Sequence, residues 1–281
     1  MASTQDIRRR IKSVKNIQQI TKAMKMVAAA RLRRAQEGAL ANKPYAEKMQ
    51  AVLMDVAQSA GEIIHPLLEV RPVNKKAYVV LAADKGLAGA YSSNVFKEVI
   101  THFSHKSDAD LVTVGRKARD YFVHRGYNVV TEYAGFSERP TYENAKQVAN
   151  KIMNLFTSGE YDEIHMVYTK FISPINVVPT TAKLLPISDL GGEGSGGEYI
   201  YEPNAGEVLG LLLPQYLETM VYGALLQASA SELGSRMAAM SAATDNADDL
   251  ISKLVLNYNK VRQAGITREI NEIVSGAEAL K

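Results

Sequence analysis

The chain has 281 residues, of which 46% are hydrophobic and 22% are charged, so it is long enough to fold around a core of its own. It contains no cysteine, which excludes disulfide bonds, thiol nucleophiles and cysteine metal sites and is consistent with a reducing compartment. No uncharged run approaches the ~20 residues of a membrane span, and no apolar segment follows the arginines at 8–10, so neither a spanning helix nor a secretory signal is predicted.

The net charge of +3 conceals an uneven distribution along the chain. Residues 1–34 carry ten basic side chains against one acid, Asp6, which gives +9 there and leaves −6 for the remainder. Such a segment predicts an acidic protein surface as its partner, while solvent, an anionic membrane and nucleic acid stay open as alternatives. Nucleic acid is disfavoured because no aromatic residues for base stacking are interleaved with the charges. The residues of this basic track are Arg8, Arg9, Lys12, Lys22, Arg31, Arg33 and Arg34.

The first predicted element is a long N-terminal helix within a segment 1–61. It is expected to run to about Asn42, to be kinked or restarted by Pro44, and to stop at Gly61. An apolar stripe at helical spacing marks the face that a partner helix would cover. The stripe consists of Ile7, Ile11, Val14, Ile17, Ile20, Met24 and Val27.

The middle of the chain predicts a globular α/β domain, 75–203, inserted between two long helices. Alternating strands and helices indicate a Rossmann-like, largely parallel sheet. Strands are predicted at 76–83, 110–114, 127–130, 163–171 and 176–185, with the last two paired, and helices at 92–103, 116–125 and 141–157. The glycine-rich run 191–197 predicts a surface loop, and residues 199–202 predict a last strand.

The last predicted element is one continuous helix over 215–281, in a segment 206–281 whose first turns Pro214 is expected to interrupt. At about 1.5 Å per residue this helix would be roughly 100 Å long, too long for one core, so the N-terminal helix is its predicted antiparallel mate. Its apolar positions step by four and three, which is typical of a coiled-coil seam. The seam consists of Ala247, Ile251, Leu254, Tyr258, Val261 and Gly265. The phase then slips by one residue, which indicates a change of packing partner, and continues at Ile266, Ile270, Ile273, Ala277 and Leu280.

No catalytic constellation is found in the sequence. The turn with Gly86 and Gly89 joins a strand to a helix, but it matches neither G-x-G-x-x-G nor a P-loop, and a tight turn explains both glycines. His102 and His105 lack an evident third metal ligand, so a solvated helix end is favoured over a metal site. The sequence therefore predicts no catalytic residue, no bound cofactor and no metal.

Four separated segments carry a recognisable pattern in a fixed order. Residues 20–28 contain ITKAM followed by MVA, and residues 84–94 and 239–246 read DKGLAGAYSSN and AMSAATDN. Residues 266–279, ITREINEIVSGAEA, combine Ile-Thr, spaced acids and a Gly-Ala pair near the chain end. Together these segments resemble the gamma subunit of F-type ATP synthases. Because the resemblance spans the whole chain, the sequence is identified as a member of that family.

The resemblance implies a non-catalytic rotor subunit. In that family the terminal helices form an antiparallel coiled coil along the axis of a ring of alpha and beta subunits, and the beta subunits carry out catalysis. The α/β insert, together with the epsilon subunit, stands on the membrane-embedded ring of c subunits, which protons turn. The chain would then couple the c-ring to ATP synthesis and modulate ATPase activity. It would be peripheral, at the cytoplasmic face of the bacterial cell membrane, with membrane contact only through the complex.

The resemblance also implies subunit-interface residues. They are Met24, Lys25 and Arg236 at the height of acidic lever loops of the beta subunits, Arg262 and Gln263 at a polar catch, and Thr267, Glu269 and Glu272 in support. The family often has Glu where this chain has Lys25, and the reversed charge suggests the hypothesis that Lys25 restrains ATP hydrolysis. The cysteine pair and insertion of chloroplast members are absent, which favours a bacterial source.

Two other classes of protein stay open from the residues alone. One is an α/β enzyme that binds a phosphate at the Gly86–Gly89 turn and dimerises through its long helices. The other is a coiled-coil scaffold that grips nucleic acid through residues 8–34. Within the rotor interpretation, residues from about 266 onward are predicted to continue as a single helix facing the bearing of the ring. Pairing of residues 1–11 alongside 273–280 would contradict that prediction.

Overall fold

The computed structural model describes residues 4–59, 65–103, 105–106, 109–188, 201–202 and 204–279. Two compact units are present, one formed by Met1–Val27 with Met237–Lys281 and the other by Ala28–Arg236. The predicted helix stop at Gly61, the predicted loop 191–197 and the first half of the predicted strand 199–202 lie outside the described residues. Residues 201 and 202 are described and do not form a strand, so that part of the prediction is wrong. The division into 1–61, 75–203 and 206–281 stays a prediction.

The two terminal helices are α1, Thr4–Ser59, and α5, Ala205–Ala279. Both contain a proline, Pro44 in α1 and Pro214 in α5, and both run through it. The predicted end near Asn42 and the predicted interruption at Pro214 are therefore wrong. A proline inside a helix costs about 3 kcal/mol of local stability, which burial of neighbouring side chains offsets here. Buried side chains after Pro44 and around Pro214 are Leu53, Val56, Leu209, Leu213 and Leu217.

The middle of the chain forms a five-stranded sheet in the order β3-β2-β1-β4-β5. The strands are β1 (Lys76–Leu81), β2 (Ala109–Val114), β3 (Val129–Tyr133), β4 (Glu163–Ser173) and β5 (Asn176–Leu185). The helices are α2 (Tyr91–Thr101), α3 (Arg116–His124) and α4 (Tyr142–Thr157), and a short 3-10 helix covers Pro66–Leu68. The pairs β1–β2, β1–β4 and β2–β3 are parallel, whereas β4 and β5 are antiparallel neighbours. The predicted α/β class and the pairing of the last two strands are confirmed, although β3 begins two positions later than predicted.

Side chains that alternate along β1 enter two separate core layers of this second unit. Ala77, Val79 and Leu81 pack with α4 and with residues of α5 between Leu209 and Ala228. Tyr78, Val80 and Ala82, on the opposite face, pack with α2 and α3. A strand buried on both faces reads as a continuous apolar run, which is what the sequence of β1 shows.

One stretch of α5 is long and apolar enough to cross a membrane by length and composition alone. Its mean hydropathy is 1.2 over 18 residues, and half of that window is buried inside the protein. Burial of this kind is what the core helix of a folded domain shows, and the first part of α5 lies in the core described above.

In the first unit, the start of α1 pairs antiparallel with the last part of α5. Gln18 donates a hydrogen bond to Asp248, and the seam residue Ala247 is buried. The predicted seam on α5 is confirmed for Ile251, Leu254, Tyr258 and Val261, all of which are partly buried.

The predicted stripe on α1 is only partly correct. Ile7 is buried and Ile11, Val14 and Met24 are partly buried, but between Val14 and Met24 the seam passes through the polar residues Gln18 and Thr21. Ile17, Ile20 and Val27 are exposed by 51%, 59% and 51%. The reason is geometric. An α-helix has 3.6 residues per turn, so successive three-residue steps each fall short of a full turn and the predicted stripe rotates away from the mate helix.

Beyond Arg262, α5 continues as a single helix within the described residues. Every side chain from 262 to 278 is exposed, including Ile266, Ile270 and Ile273 at 49%, 54% and 71%. The first described residues of α1 pair much earlier along α5, since Arg8 contacts Tyr258. The predicted single helix from about 266 is confirmed, and what its apolar side faces in a complex stays a prediction.

Candidate functional site

A ladder of polar contacts crosses the two helices of the first unit. Lys25 Nζ donates a hydrogen bond to Ser241 Oγ at 2.9 Å, and the hydroxyls of Thr21 and Thr244 lie 2.8 Å apart. Thr21 is buried, Met24 is partly buried, and Lys25 is exposed. Lys25 therefore lies against the mate helix with its charge still in solvent, available to an acidic partner.

The basic track begins at the first turns of α1 in the same unit. Arg8 donates a hydrogen bond to the hydroxyl of Tyr258 at 2.7 Å, with its guanidinium carbon 5.6 Å from the ring centroid. Arg9 forms an exposed ion pair with Asp6 at 2.7 Å. Exposed side chains complete this part of the track at Lys12 and Lys22. The charge is solvated rather than neutralised, so the surface keeps a positive field.

The predicted interface residues of the C-terminal signature lie along the single-helix part of α5. All are exposed: Arg262, Gln263, Thr267, Glu269 and Glu272. A helix whose polar and apolar faces are both exposed gains little of its stability from packing within this chain. These residues are therefore accessible to other subunits, while their individual roles stay predictions.

Four predicted cations lie in the second unit. Arg31 and Arg236 take part in a network of ion pairs, whereas Arg33 and Arg34 lie on the surface. Arg31 and Arg236 both bind the carboxylate of Glu138, which lies in the loop after β3. Arg33, by contrast, makes an exposed pair with Glu37 at 3.1 Å, and Arg34 is exposed.

Arg236 is held almost entirely inside its own chain. Its side chain is 7% exposed and pairs with Glu232 Oε1 at 2.7 Å and Glu138 Oε1 at 3.3 Å. It also donates to the main-chain oxygens of Lys85 and Gly86 at 3.5 and 3.3 Å. Glu232 is 1% exposed, and burial raises its pKa although the neighbouring Arg236 acts in the opposite direction. The five residues Arg31, Lys85, Glu138, Glu232 and Arg236 are called the Glu138 network below.

Comparisons with known proteins agree on one family. A family model described as ATP synthase matches residues 3–280. An ATP synthase gamma chain of Desulfitobacterium hafniense is 47% identical over 282 residues, and one of Desulforamulus reducens is 48% identical over 283. Each of these alignments covers 100% of this chain and 100% of the relative. The chain belongs to the ATP synthase gamma chain family.

Solved structures carry the same fold. A chain in the central stalk and c-ring structure of the Tetrahymena thermophila mitochondrial ATP synthase matches with a TM-score of 0.62 and 25% identity, over 80% of this chain and 99% of that one. A chain of the Euglena gracilis mitochondrial ATP synthase matches with a TM-score of 0.72 and 16% identity, over 99% and 94%. As a gamma chain, the protein is a subunit of the synthase and not its catalyst.

Asp84, which begins the segment that invited a phosphate-binding interpretation, is held by main-chain N–H groups that lie outside the Gly86–Gly89 turn. Asp84, which follows β1, accepts hydrogen bonds from the main-chain N–H groups of Gly135, Ser137 and Arg116 at 2.8, 3.1 and 3.1 Å. Burial alone would raise the pKa of Asp84, but these N–H groups outweigh it and lower the pKa. The start of α3, where an anion would bind, is therefore already occupied.

Two histidines of the gamma chain, His102 and His165, are engaged in ring stacking and hydrogen bonds. His102 lies 2.7 Å from the Thr181 hydroxyl, and His165 lies 3.0 Å from Glu163. Burial would raise the pKa of Glu163, but hydrogen bonds, with that from Lys183 the largest, outweigh it and lower the pKa to about 2. Among the residues that the structure describes, no group of three or more His, Cys, Asp and Glu side chains is placed to hold a metal ion.

Two acidic members of the Glu138 network are absent from the sequence-based predictions. Glu232 carried a local signal, because it lies four residues before Arg236 on a helix, the spacing of an ion pair. Glu138 carried none, since it lies 107 and 98 positions away from Arg31 and Arg236. Long-range pairing of this kind follows from the fold alone.

Proposed function

We propose that this chain is the central-stalk rotor of a bacterial F-type ATP synthase and transmits torque between the c-ring and the catalytic beta subunits. The observation that carries the proposal is the exposed single helix beyond Arg262, which has isoleucines at 49–71% exposure. A helix with exposed apolar side chains all along one end requires a partner to cover them. A ring of alpha and beta subunits around that helix meets the requirement.

The partners follow from the assembly. The alpha and beta subunits surround the coiled coil, and the epsilon subunit and the c-ring contact the α/β insert. The relatives are named ATP synthase gamma chains, and the solved neighbours belong to a central stalk, a c-ring and a rotor. The complex is bound to the bacterial cell membrane, and the chain lies at its cytoplasmic face, with protons as the coupling ion.

The interface residues divide into three groups with different accessibility. Met24 and Lys25, with Arg8, Arg9, Lys12 and Lys22, face acidic loops of the beta subunits from the first unit. Exposed ion pairs contribute about 0–1 kcal/mol each, weak enough to exchange as the rotor turns. The second group, at the polar catch, is Arg262, Gln263, Thr267, Glu269 and Glu272. Arg236 acts differently, because its side chain is bound within its own chain and orders the neighbouring surface.

Lys25 has a further role in restraining ATP hydrolysis. It is exposed, it donates a hydrogen bond to the hydroxyl of Ser241, and it stands where the family often has a glutamate. A positive charge beside an acidic beta-subunit loop stabilises one rotor angle over the others. Hydrolysis then has to break that contact once for each beta subunit passed.

Reconstitution tests the proposed function. The chain is combined with the alpha and beta subunits of the same organism, and the complex is purified and assayed for ATP hydrolysis. We expect stoichiometric association, restored ATPase activity and stepwise rotation of a bead attached to the α/β insert. Failure of alpha and beta to retain the chain, or ATPase activity without bead rotation, contradicts the proposal.

Two further measurements on the isolated chain address the other classes of protein. Calorimetric titration with nucleotides is expected to give no heat of binding, because the Gly86–Gly89 turn matches neither phosphate-binding motif and a tight strand-to-helix turn explains both glycines. Binding to DNA is expected to be absent at physiological salt. Measurable nucleotide binding would favour an enzyme, and steeply salt-dependent DNA binding would favour a nucleic-acid scaffold.

A further inference from the structure

Glu138 is the point at which the α/β insert holds both long helices of the second unit. Its carboxylate accepts a hydrogen bond from Arg31 of α1, and it pairs with Arg236 of α5 at 3.3 Å. The main-chain oxygen of Glu138 accepts a hydrogen bond from Ser229 of α5 at 3.0 Å. The long helices thus bind both the side chain and the main chain of Glu138.

The loop that carries Glu138 is itself anchored to the sheet. Asp84, at the end of β1, accepts hydrogen bonds from the main-chain N–H groups of Gly135 and Ser137. Lys85, next to Asp84, lies 3.4 Å from Glu138 Oε1. A force on the sheet therefore reaches Glu138 through short, directional contacts rather than through a flexible linker.

Burial strengthens the contact of Glu138 with Arg236, whereas its other two cations, Arg31 and Lys85, are 38% and 63% exposed. The Glu138 side chain is 14% exposed, Arg236 is 7% exposed and Glu232 is 1% exposed. Charge-assisted hydrogen bonds with little access to water are shorter and stronger than those on the surface. Glu232 Oε1 pairs with Arg236 at 2.7 Å, so a displaced Arg236 removes the cation that compensates this buried carboxylate. The network therefore resists displacement of the two helices relative to the insert.

We infer that Glu138 is a torque-transmitting positioning residue, which fixes α1 and α5 to the α/β insert so that rotation of the insert passes to the shaft without angular slack. The inference rests on the proposed rotor function. In a rotor, torque enters at the insert and leaves along the helices. Any force that passes from the insert to α1 or α5 through the loop with Glu138 is transmitted by this network. Weakening the network leaves nucleotide chemistry in place and loosens the angular coupling between insert and shaft.

The test compares Glu138→Gln with a matched control in the reconstituted complex of this chain with alpha and beta. Glu132→Gln is the control, because Glu132 is 57% exposed on β3 and pairs with Arg119. A bead is attached to the insert, the complex is held without turnover, and the angular fluctuation of the bead is recorded. Charge-assisted hydrogen bonds are about twice as strong as neutral ones, and the packing of the sheet on α5 acts in parallel with them, so Glu138→Gln is expected to widen the angular variance by up to about twofold.

A second variant loosens the same loop from the other side. Ser229→Ala removes the hydrogen bond to the Glu138 oxygen, with little change in volume, and is expected to widen the variance as well. Glu138→Asp keeps the charge and is expected to recover part of the stiffness lost in Glu138→Gln. In the holoenzyme in vesicles, protons pumped per ATP hydrolysed are expected to fall for Glu138→Gln and not for Glu132→Gln.

The possible outcomes separate this inference from the rotor function. A wild-type complex whose bead does not rotate refutes the function itself. A rotating wild type with equal angular variance for Glu138→Gln, Ser229→Ala and Glu132→Gln overturns the inference and leaves the function standing. A folded Glu138→Gln complex with wider fluctuation and lower pumping per ATP supports both.

Discussion

Replacement of Arg236 tests whether this arginine stabilises its own chain. Arg236→Ala leaves Glu232, at 1% exposure, and Glu138, at 14%, without the cation that pairs with both. Removing one partner of a buried ion pair costs about 3–5 kcal/mol, because the remaining charge stays buried without compensation. The free energy of unfolding of Arg236→Ala is expected to fall by that amount.

The chain supplies a matched control for this variant. Arg33 and Glu37 are also an arginine and a glutamate four residues apart on a helix, but their side chains are 83% and 62% exposed. Arg33→Ala is therefore expected to change stability by about 0–1 kcal/mol. The difference between the two variants measures burial together with the further contacts of Arg236 to Glu138 and to the main-chain oxygens of Lys85 and Gly86.

The cost of Arg236→Ala also depends on pH. Burial raises the pKa of Glu232 above its ordinary value of 4.5, and loss of Arg236 removes the main influence that opposes this rise. Above pH 4.5 the folded chain then holds a proton that the unfolded chain has released, so stability falls as pH rises through that window. Urea unfolding of the full chain at about pH 5 and about pH 8 is expected to show the larger deficit at the higher pH.

Two results would refute this reasoning. One is an Arg236→Ala variant that loses no more stability than Arg33→Ala. The other is a deficit that grows as pH falls, which would mean that Glu232 is not the group left unpaired. A variant that keeps full stability but loses ATPase coupling would instead assign Arg236 to the subunit interface.

Three further predictions concern separate parts of the chain. Lys25→Glu is expected to raise the ATP hydrolysis rate of the reconstituted complex by up to about fivefold, the equivalent of one exposed ion pair of about 1 kcal/mol, and equal rates would contradict it. Gly115→Ala is expected to lower the free energy of unfolding, measured with urea, by about 1–3 kcal/mol or more, because φ is +107° at this position and a Cβ atom would lie 2.1 Å from the Ala82 oxygen. Gly265→Ala, with no atom within 4 Å of the new Cβ, is its control and is expected to lose nothing. Glu163, whose pKa is lowered to about 2, contributes stability that is present above its ordinary pKa of 4.5 and lost as pH falls towards 2. Glu163→Gln is expected to flatten that part of the stability profile, and an unchanged profile would exclude Glu163 as the group responsible.

Local patterns account for the part of the fold that was predicted correctly. The two long helices, the alternating strands and helices, and the seam from Ala247 to Val261 all follow from short-range periodicity, which depends on neighbouring residues alone. The same periodicity gave the wrong phase on α1, where Ile17 and Ile20 are exposed and Gln18 and Thr21 enter the seam. Which of two adjacent stripes is covered depends on the mate helix, more than 220 residues away in sequence.

The candidate site was predictable where function resides in single exposed side chains. The basic residues of the first 34 positions and the C-terminal signature are visible in the sequence, and the structure leaves most of them accessible. Arg236 is the exception, since its position just before the segment 239–246 predicts an accessible cation, whereas its side chain is 7% exposed. Its accessibility depends on its ion pairs with Glu138 and Glu232. The pair with Glu138 cannot be predicted from the sequence, because the two residues are 98 positions apart.

The sequence alone determined that the chain pairs two long helices, inserts an α/β domain between them and belongs to a rotor family. It could do so because helix length, apolar spacing and the order of motifs depend on residues that are close together in the sequence. The tertiary structure decided that Pro44 and Pro214 stay inside helices, that Asp84 binds the loop after β3 and the start of α3, and that Glu138 joins the α/β insert to α1 and α5. Each of these depends on burial and on contacts between distant residues, and these exist only once the chain has folded.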